Sequence, residues 1–320
     1  MATAKRPSIS VVVPCFNEAA SLPELTTRIG AALANSSIDH QLIFVDDGSR
    51  DSTWTAIKTL AATNSPVRGV RLSRNFGKEI AILSGLDAAD GDAVVLMDAD
   101  LQHPPELITE FIARWREGHD VVYGARRDRT EHRGDRGVRW FYRTFNALAD
   151  VQIADDAGDF RLMSRRVVDV ILRLRERTRF TKGLFAWVGF DGVAVPYDVA
   201  PRRHGTTSFS TTKLLRFAFH GLVSFSTAPL KLGIVIGAVS AVAALALGAF
   251  YLVRTILIGI DVPGYASIIV SVLALGGLML LQLGLVGLYV GRIYDEVKGR
   301  PPYVVRDEVG TVAPRSADVR

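Results

Sequence analysis

The sequence predicts an α/β fold with a mostly parallel sheet, followed by a C-terminal hairpin of two membrane-spanning helices. Three observations carry that expectation. Short β-branched runs alternate with helical patterns through the first 130 or so residues. The ends of five successive strands carry acids, bases or turn residues, where open α/β sheets place their ligands. Two long uncharged apolar runs stand in tandem toward the C-terminus.

The elements follow in order. Ile9–Val13 is the first strand, and Ser21-x-x-Glu24 reads as a capping box opening a helix through Ala34. Gln41–Val45 is the second strand, and Asp51 and Ser52 can cap a helix over Thr53–Ala62. Val67–Leu72 is the third strand, followed by a helical pattern over Glu79–Ala88. Ala93–Met97 is the fourth, followed by a proline-initiated helix over Pro105–Glu117, and Val121–Tyr123 is the fifth. The segment Arg126–Arg139 holds six arginines and three acids and reads as a solvated loop, placed where a lid over phosphates would sit. Phe209–Phe225 places Leu214, Phe217, Leu222 and Phe225 near helical spacing among Lys213, Arg216 and His220, the pattern of an interfacial helix.

Leu232–Val253 is 22 residues long and Tyr265–Gly291 is 27, both without a charge. As a helix the shorter run spans about 33 Å, close to the hydrocarbon thickness. Lys231 precedes the first run, and Arg292, Lys298 and Arg300 follow the second. The positive-inside bias therefore puts both ends of the hairpin, and the large N-terminal region, on the cytoplasmic side. The expected organisation is a cytosolic domain over 1–207, a juxtamembrane amphipathic stretch over 208–230, two transmembrane helices over 231–292 and a cytosolic, partly disordered tail over 293–320. Gly233, Gly237, Gly276 and Gly277 permit close helix contacts, so a homo-oligomer is allowed.

Composition removes several classes. Of 320 residues 48% are hydrophobic and 22% charged, the balance of a folded chain. One cysteine, Cys15, excludes an intramolecular disulfide framework, and no base is identifiable in the sequence to activate its thiol. The net charge of +5 is too small to point to nucleic acid, and none is expected as a partner. Neither a G-x-x-x-x-G-K-[ST] loop nor a G-x-G-x-x-G turn after the first strand is present, which argues against a P-loop NTPase and a dinucleotide oxidoreductase.

Asp98-Ala99-Asp100 is the sharpest motif. Two carboxylates at i and i+2 beyond a strand can turn toward one hard cation, Mg2+ or Mn2+, that completes its shell with phosphate oxygens and water. D-x-D alone is a loose pattern, common in ordinary loops, and its position directly after Val94-Val95-Leu96 gives it weight. His103 follows closely but is the wrong donor for such an ion.

The strings VVVPCFNEAASL, VDDGSRDST and MDADLQHPPE together resemble the family-two inverting glycosyltransferases, which carry a Rossmann-like glycosyltransferase A fold. NFGKE, GDFRLMSR and the C-terminal hairpin resemble the polyprenyl-phosphate branch of that family, which includes dolichol-phosphate mannose synthase and bacterial undecaprenyl-phosphate glucosyltransferases. The resemblance spans about residues 8–295, and a Q-x-x-R-W string of processive synthases is absent. It implies that Pro14, Phe16 and Glu18 form the first nucleotide-binding turn, and that Val45 and Asp47 meet the base with Asp46 nearby. It implies that Asp98, Ala99 and Asp100 form the metal and nucleotide stretch, with Gln102 beside it and Lys78, in NFGKE, among the donor-binding residues. Arg126 matches a diphosphate- or acceptor-binding arginine, and Arg202 the arginine of an R-x-x-G-x-S-K-[YF] string whose lysine is Ser208 here. Asp159 matches a base or positioning group; an acid paired with Arg161 or a nearby arginine is the plainer alternative.

The implied reaction is single, inverting transfer of one hexose, with UDP-glucose as the best donor, onto a polyprenyl phosphate at the bacterial inner membrane. A lipid monophosphate is largely ionised at neutral pH, since its second pKa is about 6, so it needs less help from a base than an alcohol does. Asp98 and Asp100 as metal ligands, with Asp100 and Asp159 at the reaction, form the expected catalytic set. Two other readings stand beside it: transfer to a neutral membrane lipid, and an inactive nucleotide-sugar-binding assembly subunit.

Overall fold

The structure is a computed structural model, and it describes residues 7–34, 36, 38–64, 66–127, 157–174, 176, 179, 181–198, 228–258 and 264–310. The expected lid beyond Arg127, the R-x-x-G string with Arg202 and the expected interfacial helix over Phe209–Phe225 lie outside the described residues.

The strands are β1 (Ser8–Cys15), β2 (Asp39–Asp46), β3 (Val67–Leu72), β4 (Ala93–Leu96), β5 (Val121–Arg126), β6 (Ala157–Ser164), β7 (Gly192–Tyr197) and β8 (Val305–Val309). They form one sheet in the order β7-β5-β6-β4-β1-β2-β3-β8. The pairs β1–β2, β1–β4, β2–β3 and β5–β7 are parallel, while β6 runs antiparallel between β4 and β5, and β8 antiparallel along β3. Strands β1 to β5 and β7 therefore all end on the same edge, and β6 begins there.

The helices are α1 (Leu22–Leu33), α2 (Thr53–Thr63), α3 (Lys78–Ala88), α4 (Ile108–Arg116), α5 (Arg165–Arg173), α6 (Thr181–Trp187), α7 (Ala228–Ile258) and α8 (Tyr265–Val297). The period-two alternation of the strands divides the core into two layers. Val11 and Val13 of β1 pack with Leu25 and Ile29 of α1, Ile57 of α2 and Phe111 of α4. Val12, between them, faces the other layer with Leu83 and Leu86 of α3 and Val168 and Ile171 of α5. Both faces of the sheet are covered, which is why the central strands carry continuous apolar runs such as Val11-Val12-Val13 and Leu42-Ile43-Phe44-Val45.

Several local expectations are corrected. Ser21 does not cap α1: it already has helical dihedrals, and its hydroxyl donates to the Glu18 carbonyl at 2.9 Å, so there is no capping box. Asp51 holds the start of α2, its Oδ1 accepting from the Thr53 N–H at 3.0 Å, while Ser52 makes no side-chain cap. The proline-initiated helix begins as a 3-10 turn over Pro105–Leu107 before α4. The segment after Pro301, expected to lack regular structure, contains β8. Its charges hide a strand pattern, but charge is what an exposed sheet edge carries.

The described residues fall into two compact units. One contains the sheet and its helices and includes residues 301–310; the other holds α7 and α8. Within the second unit, the Gln282 amide donates to the Gly233 carbonyl at 3.0 Å, giving the one polar group in the middle of α8 a partner on α7. Both helices are long and apolar enough to cross a membrane, over Gly233–Phe250 and Ser271–Val297. They expose their large side chains along their length, with Leu245 at 75% and Met279 at 72%. A core helix of a soluble domain buries such residues, so lipid is the solvent that suits them.

Candidate active site

The ends of β1 to β5 and β7 build the common edge, and backbone-to-side-chain bonds stitch the loops together. The turn after β1 is tied to the turn after β2: the Asn17 N–H donates to Ser49 Oγ at 3.0 Å, the Arg50 N–H to Asn17 Oδ1 at 2.9 Å and the Glu18 N–H to Thr53 Oγ1 at 2.9 Å. Asn17 and Leu101 hold positive φ of 58° and 60° without being glycine, backbone strain that sits in two of these loops. The turn after β2 lies directly against the loop after β3. A Cβ at Gly48, where φ is +67°, would meet the Arg74 carbonyl carbon at 2.5 Å.

Asp47 spans that contact. It is buried, and its two oxygens accept from the N–H groups of Phe76 and Gly77 at 2.7 and 2.8 Å. Burial raises its pKa, against the lowering effect of those two bonds. Asp47 thus fixes the N-terminal end of α3, which begins at Lys78. Asp46 is fully buried, with Oδ1 accepting from the Ser49 N–H at 2.8 Å. Val45 is also fully buried, near the end of β2 in the layer packed against α3. Ala99 is buried; Pro14, Glu18, Asp100 and Gln102 are half-buried, and Phe16 is exposed.

The centre of the edge is an ion cluster. β4 and β6 pair antiparallel with Leu96 opposite Arg161. Asp98 lies two residues beyond Leu96 and Asp159 two residues before Arg161, so both acids sit at the same end of this pairing. Lys78 closes the gap: its Nζ lies 2.7 Å from Asp98 Oδ1, 2.9 Å from Asp98 Oδ2 and 2.7 Å from Asp159 Oδ2. Burial opposes the charge on all three groups, but their mutual attraction wins. It raises the Lys78 ammonium above its ordinary pKa and holds the Asp98 and Asp159 carboxyls below theirs. Lys182 adds to the effect on Asp159.

Beneath Asp98 lies His103, buried, its Nε2 3.8 Å from Asp98 Oδ2 and its Nδ1 2.8 Å from the Tyr197 hydroxyl. The ring stacks on Phe160 at 5.1 Å between centroids. Arg161 is buried beside Asp159 but does not pair with it. It donates to the Gly158 carbonyl at 2.7 Å and lies 3.8 Å over the Phe185 ring. Burial lowers its pKa to about 10, against the pull of Asp159.

The structure thus brings Lys78, Asp98 and Asp159 together and sets Asp100 two residues along the same loop. Gln102 donates its N–H to Asp100 Oδ1 at 3.1 Å. Arg126 is placed as the last residue of β5, and the next residue, Arg127, is exposed with its Nη1 3.4 Å from Asp198. His103, Tyr197, Phe160 and Arg161 complete the surroundings. The sequence placed His103 in the loop after the acids or in support behind them, not on the metal, and nothing in the string announced Tyr197.

The donor set at Asp98 and Asp100 is two carboxylates, and among the described residues no group of three His, Cys, Asp or Glu side chains forms a fuller cage. Oxygen donors in this number suit Mg2+ or Mn2+, which bind through one or two carboxylates and complete their shell with phosphate oxygens and water. The residues therefore fit such an ion.

A Rossmann-like sheet with one antiparallel insertion, and an acidic loop at its ligand edge, defines a glycosyltransferase A fold. The chain belongs to glycosyl transferase family 2, which it matches over residues 10–172. It is 45% identical over 304 residues to an uncharacterised glycosyltransferase of Synechocystis, covering 93% of this chain and 95% of that one. It is 41% identical over 300 residues to the SfII prophage-derived bactoprenol glucosyl transferase of Shigella flexneri, covering 93% and 97%. Among solved structures it is similar to glucosyl-3-phosphoglycerate synthase of Mycobacterium tuberculosis, with a TM-score of 0.46 and 24% identity, covering 69% of this chain and 80% of that one.

Proposed function

We propose that this protein transfers one hexose, with inversion, from a nucleotide-diphosphate sugar to a polyprenyl phosphate, and that UDP-glucose is the donor. The Lys78–Asp98–Asp159 cluster at the ligand edge of the sheet carries the reading. Likeness to a bactoprenol glucosyl transferase over nearly the whole of both chains, apolar helices included, supports the acceptor.

Each residue has a task in this reading. The turns after β1 and β2, with Pro14, Phe16, Glu18, Val45 and Asp47, receive the nucleotide; Asp47 acts by fixing the loop that carries Lys78. Asp98 and Asp100 hold Mg2+ or Mn2+, with Ala99 as the spacer and Gln102 bracing Asp100. Bound there, the ion supplies Lewis-acid stabilisation of the departing diphosphate. Lys78 supplies a second, permanent positive charge to the same oxygens. Arg126 and Arg202 serve the phosphates of donor and acceptor. Asp159, held below the usual carboxylate range, is a weak base, so its task is to aim Lys78. The acceptor phosphate brings its own negative charge and needs no proton removed at neutral pH.

The basic flanks of the two apolar helices support a multi-pass protein of the bacterial inner membrane with its catalytic unit in the cytoplasm. The test uses membranes containing the full chain, radiolabelled UDP-glucose, added polyprenyl phosphate and Mn2+. The proposal requires label in an acid-labile phospholipid. Label in a neutral glycolipid would replace the acceptor, and no label with any donor would remove the enzymatic reading.

A further inference from the structure

We propose that β8, the strand that follows the second apolar helix, is a working part of the nucleotide site: it positions Arg71, and Arg71 fixes the Asp46 carboxylate that shapes the turn after β2. The inference rests on the donor-binding reading above and adds residues it does not use.

The chain of contacts is continuous. Asp46 is fully buried, and its Oδ2 has no hydrogen-bond partner. A buried carboxylate oxygen needs a compensating charge, and Arg71 supplies one, its Nε 3.4 Å away. Arg71 lies on β3, with its guanidinium 5.8 Å from the centroid of the Trp54 ring. In the β3–β8 register it stands opposite Asp307, whose Oδ2 lies 3.8 Å from Arg71 Nη1. Arg71 is thus held between one acid of β8 and one acid of the nucleotide turn. Asp46 in turn anchors Ser49, and its neighbour Asp47 anchors the loop of Lys78.

β8 is seated as a fitted part. A Cβ at Gly69 would meet Ile57 Cγ2 of α2 and, at 2.8 Å, Val309 Cγ2, so that position of β3 leaves room for both α2 and β8 by having no side chain. The Ser73 N–H donates to the Val304 carbonyl at 2.9 Å and the Tyr303 hydroxyl to Asp87 at 2.8 Å. Arg68 pairs with Glu308 at 3.2 Å. Ser73 opens the loop that ends at Lys78, so the residue leading into β8 touches that loop while β8 itself touches Arg71.

The experiment measures binding of uridine diphosphate and of guanosine diphosphate, each with Mn2+, to the full-length chain in detergent, by calorimetry, alongside donor KM and kcat. Arg71→Met should weaken binding of the preferred nucleotide about tenfold, equivalent to about 1.4 kcal/mol. Donor KM should rise in step while kcat stays within about twofold, and Arg71→Lys should recover most of the loss. The double variant Asp307→Asn with Val309→Ala should move binding in the same direction by about threefold, a fraction of the Arg71 effect. Glu117→Gln, which removes the exposed pair with Arg114 at the end of α4, should leave nucleotide binding unchanged. Unaltered binding in Arg71→Met, or a fall in kcat and melting temperature with KM constant, overturns the proposal alone. Unaltered binding in the double variant removes β8 from the site. An unmodified chain that binds neither nucleotide overturns the donor-binding reading together with this one.

Discussion

Replacing Lys78 by methionine keeps the length of the side chain and deletes the charge between Asp98 and Asp159. Without it, the two carboxylates lose the one cation that both contact. Breaking one side of a buried ion pair costs about 3–5 kcal/mol, and an exposed pair is worth less than about 1 kcal/mol. The Lys78 side chain is 43% exposed and those of Asp98 and Asp159 are 26% and 21%, so solvent screening places the cost between those limits, at about 1–2 kcal/mol. In a unit of this size that lowers the melting temperature by about 2–8 °C at pH 7. The pH dependence follows from the directions of the shifts. Both carboxyls have folded pKa values below their unfolded ones, so their stabilisation is present above about pH 4 and is lost as pH falls toward the folded values. The gap in melting temperature between the unmodified chain and Lys78→Met should therefore be full at pH 7 and shrink below about pH 4. Thermal unfolding followed by circular dichroism between pH 3 and 8 reads it directly. A gap of zero at pH 7, or one that does not change with pH, would refute the charge-cluster argument.

Two further perturbations test the frame around the cluster. Glu79, whose Oε2 accepts from the Thr181 N–H at 2.8 Å, has its pKa raised mainly by burial. Its contribution is present below its unfolded pKa of about 4.3 and is lost as pH rises through the folded value, so Glu79→Gln should gain in melting temperature relative to the unmodified chain between pH 5 and 8. Gly48→Ala should destabilise by about 1–3 kcal/mol through its positive φ and the close approach of Arg74, and should weaken nucleotide binding by calorimetry, because the turn after β2 and the loop of Lys78 must part.

The sequence was most readable where both faces of a strand are buried. β1 to β5 announce themselves as Val- and Ile-rich runs because helices cover both sides of the sheet. β6 places Asp159 and Arg161 among its middle residues, since one serves the ligand edge and the other is held by a carbonyl and an aromatic ring, and periodicity fails there. β8 is an exposed edge with three consecutive charged residues, Arg306, Asp307 and Glu308, and the partners of Asp307 and Glu308 lie more than 200 residues away on β3. Asp98 and Asp100 were legible because D-x-D follows an apolar strand, and Lys78 and Asp159 through family resemblance. That Lys78 bridges Asp98 and Asp159 was not legible, because it depends on the antiparallel insertion of β6 beside β4. His103 owes its burial to Phe160 and Tyr197, which arrive from β6 and β7, so no local pattern could have placed it.

The most direct test of the central claim is the Mn2+ dependence of sugar transfer to polyprenyl phosphate in the unmodified chain and in Asp98→Ala, measured side by side after chelation and metal add-back. The account predicts an acid-labile labelled phospholipid that disappears with chelator, returns with Mn2+ or Mg2+, and is absent from Asp98→Ala under every condition. Transfer by Asp98→Ala at the rate of the unmodified chain would contradict it.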